Sequence, residues 1–228
     1  MVMRAVAING SPRMDKGSTA RLLNAFVGGM IEGGSDVEVI QASQYKIKPC
    51  SCGKLYCWND EPGECCIEDD MQLIYPKLRE AEILILASPV YIPLPGAMQN
   101  VLNRMCPLLD PDLVKREGRT RARMRDNVSI QKIVLVATSG WWEIENMDTV
   151  LRIAREFAED ASVEFSGALL RPHVDFLFRG GELSTEGKAV LDAARRAGFE
   201  LTEAGAICPE TLAEVSAPLI SEEAYWQS

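Results

Sequence analysis

Five short apolar runs recur along the chain, separated by segments of helical periodicity, and this alternation limits the folds open to it. The runs are 2–9 (VMRAVAIN), 36–42 (DVEVIQA), 82–88 (EILILAS), 129–138 (SIQKIVLVAT) and 163–170. Between the first two, Leu22, Leu23, Phe26, Val27, Met30 and Ile31 recur every three or four residues, which predicts a helix over 18–33. Stretches 69–80, 96–109, 146–160 and 184–204 read the same way, whereas 110–127 reads as charged and irregular. Strands alternating with helices predict an α/β fold: a doubly wound five-stranded parallel sheet in a three-layer α/β/α arrangement. The third run is almost wholly apolar, as a strand buried on both faces must be. Residues 1–206 then form one domain carrying a cysteine-rich loop at 44–68, and 207–228 a tail.

Ligands of such sheets sit at the carboxyl ends of the strands, where strand order reverses. The loops after the first, third and fourth strands are therefore the places for a site. A net charge of −9, from 24 Lys+Arg against 33 Asp+Glu, argues against nucleic acid as a partner. No apolar run approaches the roughly 20 residues that span a bilayer, and the first residues carry no export pattern, so the reading is a cytoplasmic protein without membrane contact. A single His makes His-based triads and two-His metal sites improbable.

The loop after strand one, Gly10-Ser11-Pro12-Arg13-Met14-Asp15-Lys16-Gly17-Ser18-Thr19, has neither Walker A nor Rossmann glycine spacing. It offers hydroxyls on Ser11, Ser18 and Thr19, the charge of Arg13, and the free amides of a helix start, a combination suited to a phosphate monoester. The plainer reading has Ser18 capping the helix and Arg13 solvated. After strand three, Pro89-Val90-Tyr91-Ile92 is stiffened by prolines and offers a flat apolar surface. After strand four, Thr138-Ser139-Gly140-Trp141 brings a glycine that permits close approach and an aromatic ring for stacking. Both Trp141 and Trp142 could equally be packing residues.

GSPR, a short gap and GST after the first strand, followed by SPVY after the third, resemble the NAD(P)H-dependent FMN reductase family of flavodoxin-like proteins. Ser18 stands where that family commonly has Asn, and Leu102–Met105 (LNRM) matches the family's DR-like helix ending. The resemblance implies FMN as cofactor and NAD(P)H as donor. It implies a phosphate held by Ser11, Arg13, Ser18 and Thr19, with Gly17 in the same loop. The flavin ring would border Pro89, Val90, Tyr91 and Ile92, and Thr138, Ser139, Gly140 and Trp141 lie on the same rim. Electrons would pass to a flavin, a quinone or another small acceptor, in a homodimer or homotetramer. FMN carries the redox chemistry, so no side chain is needed as a catalytic acid or base.

Five of the seven cysteines (Cys50, Cys52, Cys57, Cys65 and Cys66) cluster before an acidic helix start, Glu68-Asp69-Asp70-Met71. This resembles the iron–sulfur flavoprotein branch of the family. It implies a [4Fe–4S] cluster on Cys50, Cys52, Cys57 and Cys65 and a ferredoxin-type protein partner. The branch has two residues between each of its first three cysteines, where this chain has one and four. Read from the residues alone, a zinc site, a thiol/disulfide pair or free thiols remain open. Cys106 and Cys208 read as packing residues. The basic run from Lys115 to Arg125 reads as solvated, or as steering for NADPH or an acidic partner, and His173 as structural or as a substrate contact. The tail, with Tyr225 and Trp226, is apolar enough to dock on another subunit and otherwise reads as disordered.

Overall fold

The computed structural model describes residues 2–227. Five parallel strands form the central sheet in the order β2-β1-β3-β6-β7: β1 (Arg4–Asn9), β2 (Asp36–Gln41), β3 (Ile83–Pro89), β6 (Lys132–Thr138) and β7 (Glu164–Arg171). The expected flavodoxin-like, three-layer α/β/α sheet is therefore present. Side chains alternate across it. Ala5, Ala7, Ile83, Ile85, Val134 and Val136 pack under α1 (Ser18–Glu32) and α6 (Thr185–Ala204). Val6, Ile8, Leu84, Leu86, Ile133 and Leu135 pack on the opposite layer. That layer comprises α3 (Met71–Glu80), α4 (Gly96–Asn103) and α5 (Asp148–Ala161), with the one-turn α2 (Tyr56–Asn59) in the cysteine loop.

Two sequence expectations give way. The helix from Gly96 stops at Asn103 instead of Leu109, because Pro107 cannot continue it and the chain makes a 3₁₀ turn at 106–108. Residues 110–127 are not irregular: β4 (Leu109–Arg116) and β5 (Arg119–Met124) form an antiparallel hairpin turned by Glu117 and Gly118, both at positive φ. Nor is the basic run simply solvated. Arg121 is buried and pairs with Glu156, Glu159 and Asp160 of α5 at 2.7, 2.7 and 2.6 Å. The hairpin is thus clamped to the outer face of a helix.

The tail folds back on its own chain instead of standing free. After a two-residue hairpin, β8 (Phe178–Arg179) and β9 (Glu182–Leu183), and then α6, α7 (Pro209–Ser216) packs on β7 and α6, and α8 (Glu222–Trp226) follows. Arg171, at the end of β7, is fully buried with no carboxylate partner among the described residues. Its guanidinium donates instead to the carbonyls of Val215 (2.8 Å), Ala217 (2.7 Å) and Ser216 (3.4 Å), the negative end of α7. His173 Nε2 accepts from the Leu219 amide at 3.2 Å, and the ring stacks on Trp142 with centroids 4.6 Å apart. The lone histidine is therefore structural.

Helices α1 and α6 meet backbone to backbone. A Cβ on Gly198 would stand 1.9 Å from the Phe26 carbonyl oxygen, and one on Gly29 would stand 1.7 Å from that of Arg195. Gly198→Ala is expected to destabilise the protein by about 1–3 kcal/mol through overpacking, although alanine is the better helix former by about 1 kcal/mol. A urea midpoint that rises in the variant would show that the helices do not need this contact.

Burial, and then the charge of Arg171, lower the His173 pKa to about 4, against an opposing hydrogen bond to the Trp142 backbone. The folded protein therefore holds His173 neutral, whereas the unfolded chain takes up a proton near pH 6.5. Its contribution is complete above about pH 6.5 and is lost as the pH falls toward 4, about 3 kcal/mol in all. His173→Gln should lack this part of the acid loss when urea stability is followed from pH 7 to pH 4. An identical slope in both proteins would rule the assignment out.

Candidate functional site

Parallel register brings three loops to one edge. Asn9 of β1 lies opposite Ala87 of β3, and Pro89 of β3 opposite Thr138 of β6, so the loops that leave these strands share a rim. The first loop is folded by Asn9, whose buried side chain accepts from the Ser11 amide (3.0 Å) and donates to the Met14 carbonyl (3.2 Å) and Gln41 (2.8 Å). Ser11 Oγ in turn accepts from the Arg13 amide at 3.3 Å. The cap position of α1 falls on Gly17, and no side chain caps the first turn. Ser18 is therefore the first helical residue and not a cap, and the opening amides face out of the loop. Thr19 is buried, with Oγ1 2.7 Å from Thr138 Oγ1, a direct tie between the first and third loops. Arg13 is exposed, and its guanidinium has no partner among the described residues.

In the second loop, Val90 and Tyr91 spend their amides internally, on the Thr138 carbonyl (2.8 Å) and the Pro93 carbonyl (2.7 Å). This loop offers its side chains: Pro89 and Val90 are half-buried, Tyr91 is 54% exposed and Ile92 fully exposed. In the third loop, Ser139 is buried and accepts from the Trp141 amide, and Gly140 is open to solvent. The two tryptophans separate: Trp142 packs on His173, whereas Trp141 is 61% exposed. Tyr225 of α8 donates to the Gly140 carbonyl at 3.1 Å and places its ring 5.7 Å from that of Trp142. Sequence reading missed Asn9, which looks like any strand-end residue, and Tyr225, which only the tertiary fold brings here.

The cysteine loop is sewn to the frame at one buried point. Arg104, past the end of α4, pairs with Asp69 at 2.6 and 3.1 Å, with both side chains almost wholly buried. The same guanidinium donates to the carbonyls of Lys48 (3.0 Å) and Ile67 (3.3 Å), gathering both ends of the loop. Asp69 lies before α3 and not within its first turn, and it also accepts from the amides of Lys48 and Met71. Burial works against its charge, but the Arg104 bond and these amides hold the carboxyl below its usual range.

Cys50, Cys52, Cys57 and Cys65 all line one narrow cleft, together with Cys66 and Cys106. All seven cysteines are free thiols, and Cys50 Sγ lies 4.0 Å from Cys52 Sγ. Among the described residues no three potential ligands converge on the position of a single metal ion. A zinc ion, which needs its sulfurs about 2.3 Å away, has no such place in this arrangement. Burial pushes the Cys57 thiol up to about 12, and its neighbour Cys106 adds to the shift. Cys106, partly buried, lines the same cleft. Cys208 is exposed and donates to Glu210.

Residues 3–154 match the model of the NADPH-dependent FMN reductase family. An iron–sulfur flavoprotein of Archaeoglobus fulgidus is 36% identical over 107 residues, 46% of each chain. One of Methanocaldococcus jannaschii is 37% identical over 89 residues, 39% of this chain and 44% of its own. The chain thus spans less than half the length of these curated relatives. Among solved structures, the NAD(P)H:quinone oxidoreductase of Methanothermobacter marburgensis superposes with a TM-score of 0.61 at 17% identity, over 88% of this chain and 98% of its own. An FMN-dependent NADH-azoreductase of Bacillus anthracis, in complex with FMN, gives 0.59 at 12%, over 90% and 100%. These two likenesses establish the fold, and the match over two-thirds of the sequence establishes the family: the chain belongs to the NADPH-dependent FMN reductases.

Proposed function

We propose that the protein is an FMN-dependent NAD(P)H oxidoreductase that passes electrons to a small acceptor such as a flavin or a quinone. One observation carries this reading. The uncapped start of α1 opens onto the same rim as an apolar shelf and a glycine loop. The residues fit the cofactor. The amides of the first turn, the hydroxyls of Ser11 and Ser18 and the unpaired Arg13 hold its dianionic phosphate, and Gly17 leaves that loop open. Thr19 positions the first turn through Thr138. Pro89, Val90, Tyr91 and Ile92 supply the surface for the ring, and Ser139 and Gly140 let backbone approach it. Trp141 stands ready to stack. When bound, FMN supplies the hydride and electron chemistry. The chain binds and orients it and keeps water from one of its faces. The domain would be 1–206, assembled as a homodimer or homotetramer in the cytoplasm.

A second reading is favoured by the six-cysteine cleft: an electron carrier in which a [4Fe–4S] cluster relays single electrons between FMN and a ferredoxin-type protein. The visible spectrum of anaerobically purified protein separates the two, since thiolate-bound iron adds broad absorbance to the flavin bands.

Arg13→Ala is expected to weaken FMN binding by about 1.5–3 kcal/mol, the worth of a charge-assisted hydrogen bond. That is roughly ten- to hundredfold in Kd, read by fluorescence titration of the flavin-free protein. Unchanged affinity would remove Arg13 from the phosphate site. Wild-type protein that binds no FMN would end the reading altogether.

A further inference from the structure

The chain alternates as it leaves the third loop. Trp142 and Ile144 are half-buried, the first on His173 and the second against the core, whereas Trp141, Glu143 and Glu145 are exposed. A 3₁₀ turn at Ile144–Met147 then leads into α5, and Asn146 donates to the Glu143 carboxylate at 2.9 Å. Opposite this outward row stands the C-terminal helix α8. Trp141, Glu143, Glu145, Asn146, Tyr225 and Trp226 together line one open groove of about 600 Å³.

A five-residue helix at the end of a chain frays unless tertiary contacts hold it. Ser221 Oγ caps α8 by accepting from the Ala224 amide at 3.2 Å. Just before it, Leu219 is buried, with its amide on His173 and its carbonyl accepting from Arg179 at 3.0 Å. Beyond its bond to Gly140, Tyr225 places its ring 5.9 Å from that of Phe176 and edge-on to Trp226 at 5.3 Å. The helix is fixed, yet Trp226 is left 67% exposed across the groove from the exposed Trp141.

The face of an indole carries the negative end of the ring quadrupole and attracts cations more strongly than the other aromatic side chains do. The Glu143 and Glu145 carboxylates add charge of the same sign, no residue lining the groove is basic, and α8 opens with two more acids, Glu222 and Glu223. A flat ring stacks on indole whatever its charge. The carboxylates decide the charge that it should bear. The volume is that of sites for small organic molecules, and the groove adjoins the rim, because Trp141 follows Gly140 directly and Tyr225 bonds to the Gly140 carbonyl.

We propose that this groove binds planar aromatic cations, disfavours anions, and so selects the electron acceptor by charge. This rests on the FMN-dependent reading above and adds the acceptor's chemical class to it. Trp141 and Trp226 supply the two aromatic walls, and Glu143 and Glu145 set the preference for charge.

The test uses the FMN-loaded full chain and three naphthoquinones that differ in one substituent: trimethylammonium, hydrogen or sulfonate. Calorimetric titration of the oxidised protein at low salt should give a Kd about tenfold lower for the cation than for the sulfonate, a gap that narrows as salt is added. Glu143→Gln combined with Glu145→Gln should close the gap while leaving the FMN content and the Kd of the neutral quinone unchanged. Trp226→Ala should weaken all three by a similar factor, as the loss of a stacking surface requires. The same order by charge should appear in kcat/KM with NAD(P)H as donor. Equal affinity for cation and sulfonate in the wild type, or a gap that survives the double substitution, overturns the proposal. Affinity that follows charge while kcat/KM does not would place the groove off the electron route and end its role in acceptor choice. A Trp226→Ala protein that changes its oligomeric state with all three affinities intact would assign this face to a second copy of the chain. Failure of the FMN reading shows separately, as a protein that binds no FMN, and calorimetry on that protein still decides whether the groove prefers cations.

Discussion

The parallel register of β1, β3 and β6 is the constraint on which the site depends. Because these strands run the same way and end level, the segments leaving them must meet on one rim, whatever their sequences. The 2.7 Å contact between Thr19 and Thr138 then fixes the first helical turn against the third loop. Asn9 shapes the turn between strand and helix from within, accepting from the Ser11 amide and donating to the Met14 carbonyl. The site is assembled from backbone groups and short hydroxyls, which a cofactor with a phosphate can use.

What the sheet does not hold by apolar packing is held by buried arginines. Arg104 gathers the cysteine loop, Arg121 the β4–β5 hairpin and Arg171 the tail. The three solve the desolvation of their charge differently: a carboxylate with carbonyls, three carboxylates, and a helix terminus with no carboxylate. Such groups contribute modestly when complete. Removing one partner is costly, about 3–5 kcal/mol, because the other is left stranded. They therefore specify where each appendage docks more than they stabilise the whole.

The central strands β1, β3 and β6 were legible because each is buried enough to require an apolar run, and β3, dry on both faces, reads as one without ambiguity. The first loop stood out as a candidate site through its hydroxyls and its position between strand and helix. The hairpin was not legible, because beside Ala122 and Met124 it turns inward Arg121, whose partner is an acidic helix face and not the core. The overrun of α4 came from weighing apolar spacing above Pro107. Cys106 and Tyr225 reach their sites only through long-range contacts, which no local pattern announces.

The two proposed centres lie at opposite ends of α4. Its first residue, Gly96, follows the shelf loop, and its far end delivers Arg104 and Cys106 to the sulfur cleft. Eight residues of helix span about 12 Å. Asn100, midway, donates to the Ile47 carbonyl at 2.8 Å and so ties the cysteine loop to the same rod. A helix tied in its middle and at its far end sets the separation of the shelf loop and the cleft. Electrons moving between them would meet a constant distance while the exposed Ile92 and Trp141 remain free to adapt to an acceptor. The rigidity belongs to the path and the adaptability to the rim, which is the division of labour an electron-passing flavoprotein needs.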